Sequence, residues 1–272
     1  MSKIKDAFSQ LEQRAQLEQR ANNNAGQKHS AFIAYFMAGD PNLAVSAEYI
    51  LTAQEAGADM VEIGIPFSDP IAEGEVIQAA STRALAAGTR LDGVFDMVSS
   101  IKEKMRIPMV FMTYLNPVFV YGYERFFSKC REIGVCGIII PDLPFEEQSE
   151  VKKIASQYSV ETVTLVAPTS EKRVAEIARN AEGFIYLVSS MGVTGVRGEI
   201  TTDLSSIVAE IRKHTDIPVA VGFGISTPHQ VKQYSAVADG VIVGSAIVRL
   251  IGQHGTDAKR YVYEYIKSLV ES

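Results

Sequence analysis

Short runs of apolar residues alternate with longer amphipathic stretches along most of the chain. The apolar runs are rich in β-branched residues, which is typical of strands buried on both faces of a parallel sheet. The predicted strands are Phe32–Met37, Asp59–Ile63, Pro108–Thr113, Gly137–Ile140, Thr162–Val166, Phe184–Ser189, Pro218–Val221 and Gly240–Val243. The predicted helices include Leu43–Ala56, Gly93–Lys104, Tyr123–Ile133, Glu146–Tyr158, Glu171–Asn180, Leu204–Lys213 and Pro228–Ser235.

Eight strand–helix units, spread over about 240 residues, match the usual size of a closed (β/α)8 TIM barrel. We therefore predict a single TIM-barrel domain over residues 1–272. A doubly wound open sheet is the alternative, because the spacing of the strands does not prove closure.

An extra N-terminal helix is predicted over Ser2–Ala21, within a helical extension that spans residues 1–30. Its apolar residues fall on one stripe, as in a helix that buries one face. The stripe consists of Ile4, Phe8, Leu11 and Ala15. We expect this helix to cover the bottom of the barrel.

Composition narrows the class of protein. Hydrophobic residues make up 47% and charged residues 21% of the chain, as in soluble globular proteins. The formal net charge of -6 argues against nucleic acid or a membrane as the partner. The sequence shows neither a signal-peptide pattern nor a membrane-spanning apolar run, so we expect a cytoplasmic protein. Cys130 and Cys136 are too few for a disulfide scaffold and should pack as small apolar groups.

One acidic residue stands out on the second predicted strand, since barrel enzymes place their chemistry at the C-terminal ends of strands. Strand alternation turns Val61 and Ile63 toward the helices and Glu62 toward the mouth of the barrel. Burial there would raise the pKa of the carboxyl toward neutrality. This favours an acid–base role for Glu62 over a structural carboxylate that accepts hydrogen bonds from loop amides.

The loop after this strand carries three more acids, Asp69, Glu73 and Glu75. Carboxylates are favoured at helix N-termini. From spacing alone, we interpret the loop as a solvated acidic turn that caps the next helix.

Glycines follow the seventh and eighth predicted strands, in Gly222-Phe223-Gly224 and Gly244-Ser245. Glycine lets backbone N–H groups approach an anion, and the following helix N-terminus favours negative charge. Barrel enzymes commonly hold phosphate at this place. Neither loop contains Lys or Arg, so amides and the Ser245 hydroxyl would recognise the phosphate. Simple tight turns are the alternative.

Other chemical motifs are missing from the sequence. The four histidines share no metal-ligand spacing with each other or with the cysteines. The dinucleotide fingerprint lacks its third glycine, because Thr227 stands there. No lysine lies inside a predicted strand, which weakens a Schiff-base mechanism. We therefore predict neither a metal nor an organic cofactor.

Several short motifs occur along this chain in the same order as in one known family. They are Ala38-Gly39-Asp40-Pro41, the run from Glu62 to Pro70, Asn116-Pro117, Pro141-Asp142-Leu143-Pro144, Ala167-Pro168-Thr169-Ser170, Gly192-Val193-Thr194-Gly195 and Gly222-Phe223-Gly224-Ile225. In these motifs the chain resembles the tryptophan synthase alpha chain family from about Ala31 to its C-terminus.

The resemblance implies a lyase of tryptophan biosynthesis that cleaves indole-3-glycerol phosphate to indole and glyceraldehyde 3-phosphate. By this resemblance Glu62 moves protons at the reacting carbon. The second family carboxylate, normally an aspartate near the indole nitrogen, falls on Glu73, and Glu75 stands where proline is usual. Because of these departures, a catalytically impaired barrel that activates a partner remains an alternative, as does another phosphosugar lyase or isomerase.

Further residues take roles from the same resemblance. Tyr186 is similar to a tyrosine that lines the indole pocket, although a core aromatic is the alternative. The segment Ser190–Thr202 resembles a mobile lid, in which Thr194 would touch the second carboxylate. The residues similar to the phosphate cradle are Gly195, Gly222, Gly224, Gly244 and Ser245.

The resemblance also implies a protein partner, a beta chain that uses pyridoxal phosphate and forms an alpha2beta2 assembly. We expect contact at the C-terminal face of the barrel, around Asp69 and Asn116–Tyr123. Aromatic residues crowd the second segment, as they do at interfaces. Alternatively, Phe119, Tyr121 and Tyr123 only cover the third of the predicted helices.

Overall fold

A computed structural model describes residues 3–22, 30–167, 171–188 and 204–272. Eight parallel strands pair in chain order and close into a barrel, which confirms the (β/α)8 fold and rules out the open sheet. The strands are β1 Ala31–Met37, β2 Met60–Gly64, β3 Met109–Met112, β4 Val135–Ile139, β5 Glu161–Val166, β6 Ile185–Val188, β7 Val219–Gly222 and β8 Gly240–Val243.

Helices cover the outside of the barrel. They are α1 Lys3–Asn22, α2 Leu43–Glu55, α3 Glu75–Ala86, α4 Leu91–Ile101, α5 Leu115–Tyr121, α6 Tyr123–Ile133, α7 Ser149–Gln157, α8 Glu171–Asn180, α9 Leu204–Arg212, α10 Pro228–Ser235, α11 Ser245–His254 and α12 Lys259–Val270. All eight helices with predicted bounds are present, the N-terminal helix among them, whereas α3, α5, α11 and α12 had no predicted bounds. Among the described residues, no helix has the length and apolarity needed to cross a membrane.

Strand alternation divides the interior into two apolar clusters. Val61 and Ile63 belong to the layer between strands and helices, whereas Met60 belongs to the cluster inside the barrel. Tyr35 of β1 also lies in the inner cluster, and it is the register partner of Glu62. Cys130 and Cys136 are buried as free thiols, as expected.

Local sequence sets the helix ends near the carboxyl side of the barrel. Thr227 accepts a hydrogen bond from the backbone N–H of Gln230, and the Gln230 side chain accepts one from the N–H of Thr227. With Pro228 in the first turn, this is a capping box. Thr227, which stands where a dinucleotide fingerprint would need its third glycine, therefore caps the N-terminus of α10.

The N-terminal helix α1 closes the bottom of the barrel, as predicted. Ile4, Phe8 and Leu11 are buried and join the inner cluster; the side chain of Ala15 lies outside the described set. The Phe8 ring packs 6.2 Å from that of Phe184. A Cβ at Gly137 would lie 2.8 Å from Cδ1 of Ile4, so glycine there permits the close approach of the helix.

Replacing Phe8 with alanine tests this closure. Phe8→Ala should lower the free energy of unfolding by about 3 kcal/mol, because it leaves a cavity against Phe184. Denaturant unfolding measures the change, with the exposed Gln10→Ala on the same helix as the control. Equal stabilities of the two variants would contradict docking of α1 on the barrel.

Candidate active site

The Glu62 carboxyl is buried inside the barrel, in the position that strand alternation predicts. The residue is 1% exposed, and neither carboxyl oxygen has a hydrogen-bond partner in the described part of the chain. Burial, reinforced by the charge of Glu73, raises the pKa of Glu62 to about 8. At pH 7 the carboxyl therefore holds its proton and can act as an acid.

Glu73 corrects the interpretation of its loop as a solvated turn. Asp69 and Glu75 are exposed as expected, but Glu73 is only 6% exposed and faces the same pocket as Glu62. Burial raises the pKa of Glu73 to about 7. The site thus contains two carboxyls that titrate near neutrality, and Glu73 loses its proton before Glu62.

Contacts from outside the loop explain why Glu73 turns inward. The Tyr114 hydroxyl accepts hydrogen bonds from the backbone N–H groups of Ile71 (3.1 Å) and Ala72 (3.0 Å). The Gln78 side chain of α3 donates to the backbone carbonyl of Glu73 at 2.7 Å. The backbone on both sides of the carboxylate is therefore anchored, and spacing along the sequence does not reveal these anchors.

Tyr186 of β6 lies on the other side of the pocket from β2. It is 5% exposed, and burial followed by the charge of Glu62 raises the pKa of its hydroxyl. A Cβ at Gly222 would overlap the Tyr186 hydroxyl. Gly222 therefore makes room for the phenol, and its expected place in the phosphate cradle stays a prediction.

The other described glycine-loop residues expected to bind phosphate do line the pocket. Gly224, Gly244 and Ser245 face it, and Ser245 starts the ten-residue helix α11. Phe223 and Gly224 both have positive φ angles, +75° and +84°. For a bulky residue such as Phe223 this conformation is strained, and strain of this kind concentrates at ligand sites. A helix N-terminus beside such a loop suits an anion.

Apolar side chains line the rest of the pocket. The walls are formed by Ile77, Met112, Phe223 and Ile242. Thr194, Gly195 and the whole of the predicted lid Ser190–Thr202 lie outside the described residues. The described part of the pocket can thus hold a flat apolar group beside two carboxyls, together with an anion at the glycine loops.

Tyr35 is a pocket residue that the sequence analysis missed. It is 4% exposed, lines the pocket, and pairs with Glu62 across β1 and β2. The available signal was its place in Phe32–Met37, where alternation puts a single tyrosine among the inward-facing side chains. No group of three or more potential metal-ligating side chains occurs among the described residues.

Comparison with known proteins supports a specific family. The family model of the tryptophan synthase alpha chain matches residues 21–271. The alpha chain of Lacticaseibacillus casei is 45% identical over 241 residues, covering 89% of this chain and 91% of its own. The alpha chain of Lactiplantibacillus plantarum is 50% identical over 227 residues, with coverages of 83% and 86%.

The chain belongs to the tryptophan synthase alpha chain family. Its fold agrees: a chain in the solved structure of the tryptophan synthase α2β2 complex from Pyrococcus furiosus superimposes with a TM-score of 0.82. That chain is 35% identical, with 89% of this chain and 98% of that chain covered. Membership in the family confirms the predicted role in tryptophan biosynthesis and the predicted lyase activity.

The buried carboxyl should leave a signature in stability. The pKa of Glu62 is raised from 4.5 to about 8 on folding, so the folded chain binds more protons than the unfolded chain between these values. The stability contributed by the protonated group is complete below pH 4.5 and is lost as the pH rises toward 8.

We predict that Glu62→Gln removes this loss, so that its free energy of unfolding falls less than that of wild type between pH 5 and pH 8. Denaturant melts across this range measure the difference. Glu55→Gln, an exposed acid on α2, is the control and should parallel wild type. A Glu62→Gln curve parallel to wild type would show that Glu62 is not buried in its neutral form.

Proposed function

We propose that Glu62 and Glu73 carry out the retro-aldol cleavage of indole-3-glycerol phosphate to indole and glyceraldehyde 3-phosphate in this chain. The observation that carries the proposal is the burial of two carboxyls, with pKa values near 8 and near 7, in one pocket. The described glycine-loop residues and the start of α11 line the same pocket.

Glu62 supplies the proton movements at the carbon. Its neutral carboxyl donates a proton to the ring carbon of the indole, and the resulting carboxylate accepts the proton of the side-chain hydroxyl as the C–C bond breaks. The electron pair of that bond returns to the ring, and the hydroxyl carbon becomes the aldehyde. Glu62 regains the proton it gave, so the reaction consumes neither an acid nor a base.

Glu73 assists at the indole nitrogen. Ionised above pH 7, it accepts the nitrogen proton while the ring carbon is protonated and returns it when the aromatic ring re-forms. Its extra methylene relative to the family aspartate does not remove it from the pocket. This supports the active lyase over the catalytically impaired barrel.

The remaining pocket residues bind the substrate. Tyr186 and the apolar walls contact the indole ring. Amides of Gly224 and Gly244, with the Ser245 hydroxyl, hold the phosphate at the start of α11. The sequence-based assignments of Thr194 as a lid contact, and of Gly195 and Gly222 to the phosphate cradle, remain predictions. The reaction requires no metal or organic cofactor, and the expected location is the cytoplasm.

Adding indole-3-glycerol phosphate to the purified chain and measuring indole tests the proposal. The kcat/KM profile should rise as Glu73 ionises near pH 7 and fall as Glu62 loses its proton near pH 8. Glu62→Gln should lower the rate by roughly 10³-fold. Glu75→Gln, an exposed acid of the same segment, is the control and should retain activity. Normal turnover by Glu62→Gln would remove Glu62 from the mechanism.

We further propose a beta chain as partner, in an alpha2beta2 assembly like the one from Pyrococcus furiosus. The loop after β2 exposes Ile71 (73%), and helix α5 after β3 exposes Phe119 (66%) and Val120 (76%). Tyr121 instead packs on Phe95 and on Phe126, and Phe126 lies in the third predicted helix, as the covering alternative expected. Exposed apolar side chains on one rim are typical of a protein contact.

Phe119→Ala should weaken binding of the beta chain about tenfold, because aromatic side chains dominate such contacts. Isothermal titration of the beta chain into each variant measures the affinity, and indole release by the isolated chain should stay unchanged. Tyr261→Ala, at a 46% exposed aromatic residue on α12, is the matched control. Wild-type affinity in Phe119→Ala would place the contact elsewhere.

A further inference from the structure

The Tyr35 hydroxyl is a buried polar group with no hydrogen-bond partner among the described residues. Buried hydroxyls almost always have such a partner. Tyr49 shows the usual case: it is fully buried, its hydroxyl donates to the carbonyl of Gly255 at 2.6 Å, and it accepts from the N–H of Ala258 at 3.1 Å. Tyr49 is a structural tyrosine, whereas the hydroxyl of Tyr35 stabilises nothing visible in the fold.

The position of the Tyr35 hydroxyl is fixed by its neighbours. The base of the side chain packs against Gly244, where an added Cβ would lie 3.2 Å from Cβ of Tyr35. At the other end, a Cβ at Gly64 would overlap the hydroxyl oxygen. The ring therefore spans the pocket wall from the end of β8 to the end of β2, and its oxygen lies over Gly64.

Glu62 is the next inward-facing residue below Gly64 on the same strand. Positions two apart on one face of a strand are separated by about 6.6 Å. An extended glutamate carboxyl and an O–H···O bond of about 2.7 Å together span that gap. The two Glu62 oxygens, like the Tyr35 oxygen, are buried without partners. Three unpartnered polar atoms thus share one small region of the pocket.

We propose that Tyr35 is a positioning residue whose hydroxyl donates a hydrogen bond to the Glu62 carboxylate as it forms. This rests on the proposed function, in which Glu62 gives up its proton to the substrate inside an apolar cavity. A carboxylate formed there without a donor is strongly disfavoured, and a hydrogen bond from the neighbouring phenol would stabilise it. The titratable groups around Tyr35 are Glu73, Glu62, Tyr114 and Tyr186.

Tyr35→Phe tests the proposal, because it removes only the oxygen. We expect kcat for indole release to fall about tenfold with KM unchanged, the effect of losing one hydrogen bond to a charged group. Loss of a donor to the charged form raises the pKa of Glu62, so the alkaline limb of the pH profile should move upward by about one unit. The acid limb, set by Glu73, should stay in place.

Stability and spectroscopy separate this role from a structural one and from failure of the proposed function. Tyr35→Phe should be as stable as wild type or more so, whereas the control Tyr49→Phe should lose stability because it breaks two hydrogen bonds. The infrared band of the protonated Glu62 carboxyl, identified with Glu62→Gln, should persist to higher pH in Tyr35→Phe even if no substrate is cleaved.

Two results would overturn the inference. One is a Glu62 carboxyl band that titrates at the same pH in Tyr35→Phe and in wild type. The other is a shift of the acid limb alone, which would pair Tyr35 with Glu73 instead. Absence of indole release by wild type, with the infrared shift intact, would instead overturn the proposed function and leave the Tyr35–Glu62 interaction standing.

Discussion

A carboxyl group inside a closed barrel is costly unless it stays neutral, and the site is organised around this constraint. Glu62 is buried because β2 has only two faces, and the other face packs against the helices. Loss of water raises its pKa to about 8. The same burial that destabilises the charged form keeps the carboxyl protonated at neutral pH. Glu62 can therefore donate a proton there.

The rest of the fold maintains this environment. Helix α1 closes the bottom of the barrel with Ile4 and Phe8, which keeps water from reaching the inner cluster from below. At the other end, Tyr114 holds the loop that turns Glu73 into the pocket. The ionised Glu73 raises the pKa of Glu62 further. Parts of the chain that are far apart in sequence thus act together to keep the Glu62 carboxyl protonated.

Sequence patterns predicted what depends on local periodicity. Alternation predicted the strands, the barrel and the inward direction of Glu62, and β8 has the predicted bounds. Amphipathicity predicted that α1 closes the bottom of the barrel. Burial of Glu73 could not be predicted, because it depends on a hydroxyl more than forty residues later. The same holds for the contact of Gly222 with Tyr186 and of Gly64 with Tyr35, because these neighbours lie on adjacent strands and come together only when the barrel closes.

Neutron diffraction at a pH between 7 and 8 tests most directly whether Glu62 is neutral in the folded chain. Deuterium positions show the protonation state of each carboxyl without substrate or partner. We predict a deuteron on Glu62 and a largely ionised Glu73 at this pH. A deprotonated Glu62 would contradict the account, because the carboxyl would then have no proton to give to the indole ring.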